Sequence, residues 1–123
     1  MEKKILIIED DKFLAQLLAK KLNQEHFHSL ITPTGEEGLK KTEEENFDLI
    51  ILDLLLPEMD GFEVLKKIKE NEKTKRIPIL ILSNLGQKEE IKRGLELGAT
   101  DYLVKANFTP NEIVEKVKVI LKS

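Results

Sequence analysis

The sequence predicts an α/β protein, a three-layer (βα)5 sandwich built on a parallel five-stranded sheet. Three apolar runs, Ile5-Leu6-Ile7-Ile8, Leu49-Ile50-Ile51-Leu52 and Ile79-Leu80-Ile81-Leu82, are separated by amphipathic stretches with a period near 3.6. That alternation calls for βαβ crossovers and hence parallel strands. The runs also end alike: the first on Glu9-Asp10, the second on Asp53, the third on Ser83, while a weaker run, Asp101-Tyr102-Leu103-Val104, stops at Lys105. Laid side by side, they place acids, a hydroxyl and an ammonium along the carboxyl edge of the sheet, the edge where open α/β sheets bind ligands.

The elements follow in order. After Asp11 a first helix places Phe13, Leu14, Leu17, Leu18 and Leu22 on one face, with Lys12, Gln16, Lys20 and Lys21 facing away, and ends before Phe27. Residues 28–32 form a short mixed strand. Thr34-Gly35-Glu36-Glu37 is a capping box that starts a second helix reaching about Asn46. Residues 60–63 repeat the capping logic for a third helix with Val64, Leu65 and Ile68 inward, and its charged tail, residues 69–76, reads as solvated. A fourth helix spans about residues 87–97 with Ile91 and Leu95 inward and Gly98 as its stop. Thr109-Pro110-Asn111-Glu112 starts the fifth, which carries Ile113, Val114, Val117, Ile120 and Leu121. Strands buried on both faces read as unbroken apolar runs, so the first, third and fourth are central and the second and fifth are edges. An order of 2-1-3-4-5 satisfies this and sets Glu9 and Asp10 beside Asp53.

At 123 residues the chain suits one domain, 1–123, with no linker or repeat within it; no output domain is expected in these residues, which either stand alone or are a piece of a longer chain. With 41% hydrophobic and 35% charged residues it has a globular composition, and its apolar runs are too short for a membrane. No secretory leader is visible, so a cytoplasmic location is expected. The absence of cysteine excludes disulfides and thiolate metal sites. A net charge of −3 argues against direct nucleic-acid binding.

Three carboxylates at adjacent strand ends need neutralising, since two unit charges about 4 Å apart repel by roughly 4 kcal/mol at an effective dielectric near 20. Oxygen-only ligation without His or Cys suits a hard divalent ion, Mg²⁺ foremost. Asp11, lying beyond the strand end, reads instead as a helix cap. Glu9 and Asp10 alone are explained equally well as an acidic helix start, but Asp53, after four apolar residues of a central strand, is not explained by solvation. Singly, Ser83 reads as a turn residue and Lys105 as a solvated edge lysine. Their joint placement after successive strands favours chemistry.

Along nearly its whole length the chain resembles the receiver domain of two-component response regulators, a flavodoxin-like doubly wound fold. The resemblance rests on Ile7-Ile8-Glu9-Asp10-Asp11, on the segment from Asp53 through Pro57 to Asp60-Gly61, on Ile81-Leu82-Ser83, and on Gly98-Ala99-Thr100-Asp101-Tyr102-Leu103-Val104-Lys105. It implies that Asp53 accepts a phosphoryl group from the phosphohistidine of a histidine kinase or a histidine phosphotransfer protein. It further implies that Glu9, Asp10, Asp53 and the Leu55 backbone carbonyl hold Mg²⁺, with Mn²⁺ as a substitute, and that Ser83 and Lys105 contact phosphoryl oxygens. Ser83 and Tyr102 would form a switch, although Tyr102 reads equally as a half-buried edge aromatic. The face of the fourth helix, fifth strand and fifth helix would meet an unknown downstream protein and support a monomer or weak dimer. The start of the first helix and the Ala106-Asn107-Phe108 loop would meet the kinase. Phe13 is expected in the core; Phe108 is not.

One departure stands out. Where the family commonly has a cis proline after the lysine, this chain has Ala106. A cis bond before a non-proline costs about 2.5–4 kcal/mol, so the expectation is either that bond or a trans loop that displaces the ammonium. Two other functions compete: a phosphate-independent interaction module with a vestigial site, and a Mg²⁺-dependent aspartate phosphatase of the haloacid dehalogenase type. The phosphatase would need a second aspartate two residues after the nucleophile and a cap, but position 55 is Leu and no cap-sized insertion exists.

Overall fold

The computed structural model describes residues 2–122. Five strands, β1 (Lys4–Ile8), β2 (His28–Thr32), β3 (Leu49–Leu52), β4 (Ile79–Ser83) and β5 (Asp101–Val104), alternate with five helices, α1 (Lys12–Gln24), α2 (Gly35–Glu44), α3 (Gly61–Glu70), α4 (Lys88–Glu96) and α5 (Pro110–Lys122). The strands pair in parallel in the order β2-β1-β3-β4-β5, the order that satisfies the central and edge assignments and that the resemblance implies.

The period of two along each strand explains why the central runs are apolar throughout. Ile5, Ile7, Leu49, Ile51, Leu80, Leu82 and Leu103 point to one face and pack with α1 and α5 residues such as Leu18, Leu22 and Val117. Their neighbours Leu6, Ile8, Ile50, Leu52, Ile79, Ile81 and Tyr102 point to the other and pack with Phe62, Val64, Leu65 and Ile68 of α3. Both faces are covered, so neither position of the alternation tolerates a polar side chain. The helix starts use the predicted caps: Asp11 accepts from the Leu14 N–H (3.1 Å), Thr34 from Glu37 (3.1 Å), Asp60 from Phe62 (3.0 Å) and Thr109 from Glu112 (3.2 Å).

Several inward assignments need correction. Phe13 is 78% exposed, because the buried stripe of α1 is Ala15, Leu18 and Leu22, and Phe13 lies across the helix from it. Phe108, expected to be free for a partner, is half-buried against the α1/α5 core. On α4 the buried residue is Gly94, while Leu95, one residue and about 100° further round the helix, is exposed. The charged tail after α3 is only partly solvated: Lys69 Nζ donates to the Lys75 and Ile77 carbonyls, and Thr74 is buried with its hydroxyl on Ile68 O. The second helix stops at Glu44, short of Asn46.

Thr32, at the end of β2, is buried, and its hydroxyl has no hydrogen-bond partner among the described residues. A buried hydroxyl without a partner loses its hydration for no return. Thr32→Val keeps the branched shape and removes the group; urea unfolding is expected to show a gain of about 1 kcal/mol.

Candidate functional site

The register of the sheet assembles the site. Ile8 of β1 pairs with Leu52 of β3, so the next residues, Glu9 and Asp53, emerge side by side. The Asp53 N–H donates to Ile8 O (3.0 Å) and the Glu9 N–H to Thr32 O (3.0 Å), which anchors both backbones. Leu52 pairs with Ile81, two residues before Ser83, and Ser83 pairs with Val104, the residue before Lys105. All four side chains therefore leave the same edge of four adjacent strands.

Glu9 and Asp53 are 2% and 3% exposed, and Asp10 is open to solvent. One carboxylate oxygen from each of the three lies within 4.8 Å of the others. Lys105 closes the group from β5: its Nζ stands 2.8 Å from Glu9 Oε1 and 2.9 Å from Asp53 Oδ2. The remaining oxygens are also engaged, Glu9 Oε2 by the Asp11 N–H (3.0 Å) and Asp53 Oδ1 by the Leu55 N–H (3.1 Å). Burial pushes the Glu9 carboxyl up to about 7, against the downward pull of Lys105 and the Asp11 N–H. Burial alone would lower the Lys105 ammonium, but hydrogen bonds to Glu9 and Asp53 outweigh it and hold its pKa above the ordinary lysine value.

The expectation for Lys105 fails in both its forms. There is no cis peptide among the described residues, yet the ammonium still reaches Asp53. A 3-10 turn over Lys105–Asn107 absorbs the geometry, with the Phe108 N–H donating to Lys105 O (3.3 Å). Asp11 behaves as the helix cap it was read to be.

Ser83 is fully buried, and its Oγ accepts from the Leu85 N–H (3.4 Å), which leaves its own proton free to donate. Tyr102 points inward, 8% exposed, and its hydroxyl donates to the Leu85 carbonyl. Burial, with the negative charges of Glu90 and Asp53, pushes the phenol up to about 12. Leu55, by contrast, presents its side chain to solvent, 53% exposed, at the rim.

Residue types alone do not reveal how closely α3 approaches the site. The Gly61 N–H donates to Leu54 O (3.0 Å), and a Cβ at Gly61 would sit 2.3 Å from Leu54 Cα and 2.7 Å from Asp53 O. Only glycine lets the helix lie directly against the backbone that presents Asp53. The Asp60-Gly61 pair, a cap followed by a residue of poor helix propensity, is the signal that marks it.

A buried acidic pair and an exposed third acid at the carboxyl edge of a 2-1-3-4-5 sheet, bridged by a lysine just after the edge strand, make a receiver-type architecture. The sequence pattern of the response regulator receiver domain matches residues 5–118, and the chain belongs to that family. It is 40% identical over 122 residues to the alkaline phosphatase synthesis transcriptional regulatory protein PhoP of Bacillus subtilis (strain 168), with 99% of this chain and 50% of that protein covered. The chain thus spans about half the length of the curated relatives it matches. Among solved structures, a CheY-like response regulator receiver domain protein from Methanospirillum hungatei JF-1 superposes with a TM-score of 0.91 at 30% identity, covering 99% of this chain and 95% of that one. The BeF3-activated N-terminal receiver domain of Klebsiella pneumoniae RstA gives a TM-score of 0.88 at 26% identity, with 98% and 100% covered. Receiver domains of this family are signalling switches in two-component systems and are not generally classed as enzymes. Among the described residues, no helix is long and apolar enough to cross a membrane.

Proposed function

We propose that residues 1–123 form a receiver unit that takes a phosphoryl group onto Asp53 from a phosphohistidine of a kinase or phosphotransfer protein in the cytoplasm. The observation that carries this is the pairing of Lys105 with both Glu9 and Asp53 beside the exposed Asp10, a carboxylate nucleophile set among cation-binding groups. An ionised carboxylate attacks phosphorus without a general base: an Asp53 oxygen forms the new P–O bond as the donor's P–N bond breaks, and the departing imidazole takes up a proton. Catalysis is then positioning and charge neutralisation.

The donor set fits a hard divalent cation. Three carboxylates share one lysine, so the cluster keeps surplus negative charge facing solvent at Asp10, and every side-chain ligand is an oxygen. Glu9, Asp10, Asp53 and the Leu55 carbonyl would hold Mg²⁺, or Mn²⁺ in its place, which would supply positive charge against the phosphoryl oxygens. Lys105 sits where its ammonium can turn from Asp53 to a second phosphoryl oxygen, and the Ser83 hydroxyl donates to a third. The Klebsiella relative's receiver domain is BeF3-activated, which supports a phosphoryl-like occupant here.

The test is intact mass after incubation with acetyl phosphate. Addition of one phosphoryl group with Mg²⁺ and none with chelator is expected. Unchanged mass under both conditions would leave the vestigial module as the better reading, and sustained turnover of a generic phosphate ester would favour the phosphatase.

A further inference from the structure

Gly94 is the buried contact of α4, yet glycine is the least favourable helix-interior residue apart from proline. What it faces explains its presence. A Cβ at position 94 would lie 3.0 Å from Tyr102 Cδ2, 3.2 Å from Tyr102 Cε2 and 2.8 Å from Ile81 Cδ1. The Ile81 methyl, the end of a flexible side chain, would have to turn aside, and the rigid Tyr102 ring, at 3.0–3.2 Å, would have to give by a few tenths of an ångström away from α4.

The ring's position matters because of where its hydroxyl goes. Tyr102 donates to the Leu85 carbonyl, and the N–H of the same residue donates to Ser83 Oγ. A single residue of the β4–α4 loop is thus held at its carbonyl from β5 and, through its N–H, holds the hydroxyl at the end of β4, on the sheet edge that carries the acids. Resting on the reading above of Asp53 as phosphoacceptor, we infer that Gly94 is a positioning residue for phosphoryl acceptance. By leaving space for the Tyr102 ring it seats the hydroxyl on Leu85, and through Leu85 it orients Ser83.

The chain has one tyrosine and no tryptophan, so emission excited at wavelengths that its five phenylalanines do not absorb reports Tyr102 alone. Gly94→Ala is expected to increase quenching of that emission by acrylamide and to slow phosphoryl acceptance from acetyl phosphate with Mg²⁺ by about tenfold, the scale on which small misplacements act. Tyr102→Phe keeps the ring but not the hydroxyl and is expected to slow the reaction similarly. In a Tyr102→Ala background, where no ring remains to displace, adding Gly94→Ala is expected to change the rate no further. A purely structural role for Gly94 predicts instead that alanine, the better helix former, leaves quenching and rate at wild-type values, and that result overturns the inference. So does a Gly94→Ala protein with an exposed tyrosine and an undiminished rate, or one equally slowed in the Tyr102→Ala background. A wild type that accepts no phosphoryl group removes the functional reading and this role together, whereas an active wild type matched by Gly94→Ala overturns the positioning role alone.

Discussion

Asp53→Asn is expected to abolish phosphoryl acceptance: intact mass after acetyl phosphate and Mg²⁺ should equal that of the untreated protein. The amide is nearly isosteric and its oxygen can still accept from the Leu55 N–H, so the loop keeps its anchor. Two features are lost. A neutral amide lacks the electron density to attack phosphorus, and it offers Lys105 no charge, although the 2.8 Å pair with Glu9 remains. Because removing Asp53 relieves repulsion with the buried Glu9 as well as breaking a favourable pair, folding stability without divalent cation is expected to stay within about 1 kcal/mol of wild type. This combination separates a chemical defect from a folding defect. A phosphorylated Asp53→Asn protein would mean that the acceptor lies elsewhere.

Lys105→Ala has the largest expected effect on stability. The ammonium is largely buried and touches both Glu9 and Asp53, the two least solvated acids of the site. Removing one partner of a buried ion pair leaves charge without compensation and typically costs about 3–5 kcal/mol; that size is expected well above pH 7, whereas near and below it Glu9, already pushed up to about 7, takes up a proton and softens the loss. Asp10 is exposed and its carboxylate only adds to the excess. Denaturant unfolding in chelator should show a loss of that size, and millimolar Mg²⁺ should restore much of it, because a cation among the three carboxylates replaces the missing positive charge. Phosphoryl acceptance should also fall, since one of the groups facing the equatorial oxygens is gone. Wild-type stability in chelator would show that Lys105 is not the counter-ion of this cluster.

The architecture and the acid cluster were legible in the sequence for a simple reason. In a parallel sheet covered on both faces, each central strand is an unbroken apolar run, and a charged residue that ends such a run marks the carboxyl edge without any knowledge of the partner strands. Asp53 after residues 49–52 is the clearest instance. Helix starts were equally readable, because a cap is a local hydrogen bond between residues two or three apart, as at Asp60 and Thr109.

Helix faces were less so. On α1 the apolar pattern favours Phe13 over Ala15, yet the small residue belongs to the buried stripe and the large one faces solvent. The same happened on α4 with Leu95 and Gly94. Hydrophobicity counts reward size, whereas close packing against a sheet selects whatever fits, and the smallest residues fit where backbones or rings approach most closely.

Short-range pattern and strand-end chemistry were enough to give the succession of elements, the division into central and edge strands, and the residues Glu9, Asp10, Asp53, Ser83 and Lys105 at the strand ends; the order 2-1-3-4-5 satisfied the pattern and is what the family resemblance implies. That Lys105 spans both buried carboxylates from a trans 3-10 turn, that Tyr102 lies inward on Leu85, and that Gly61 and Gly94 admit a backbone and a ring at contact distance emerged from packing alone. These depend on distances between segments far apart in the chain, which packing sets to a fraction of an ångström and which no local pattern encodes.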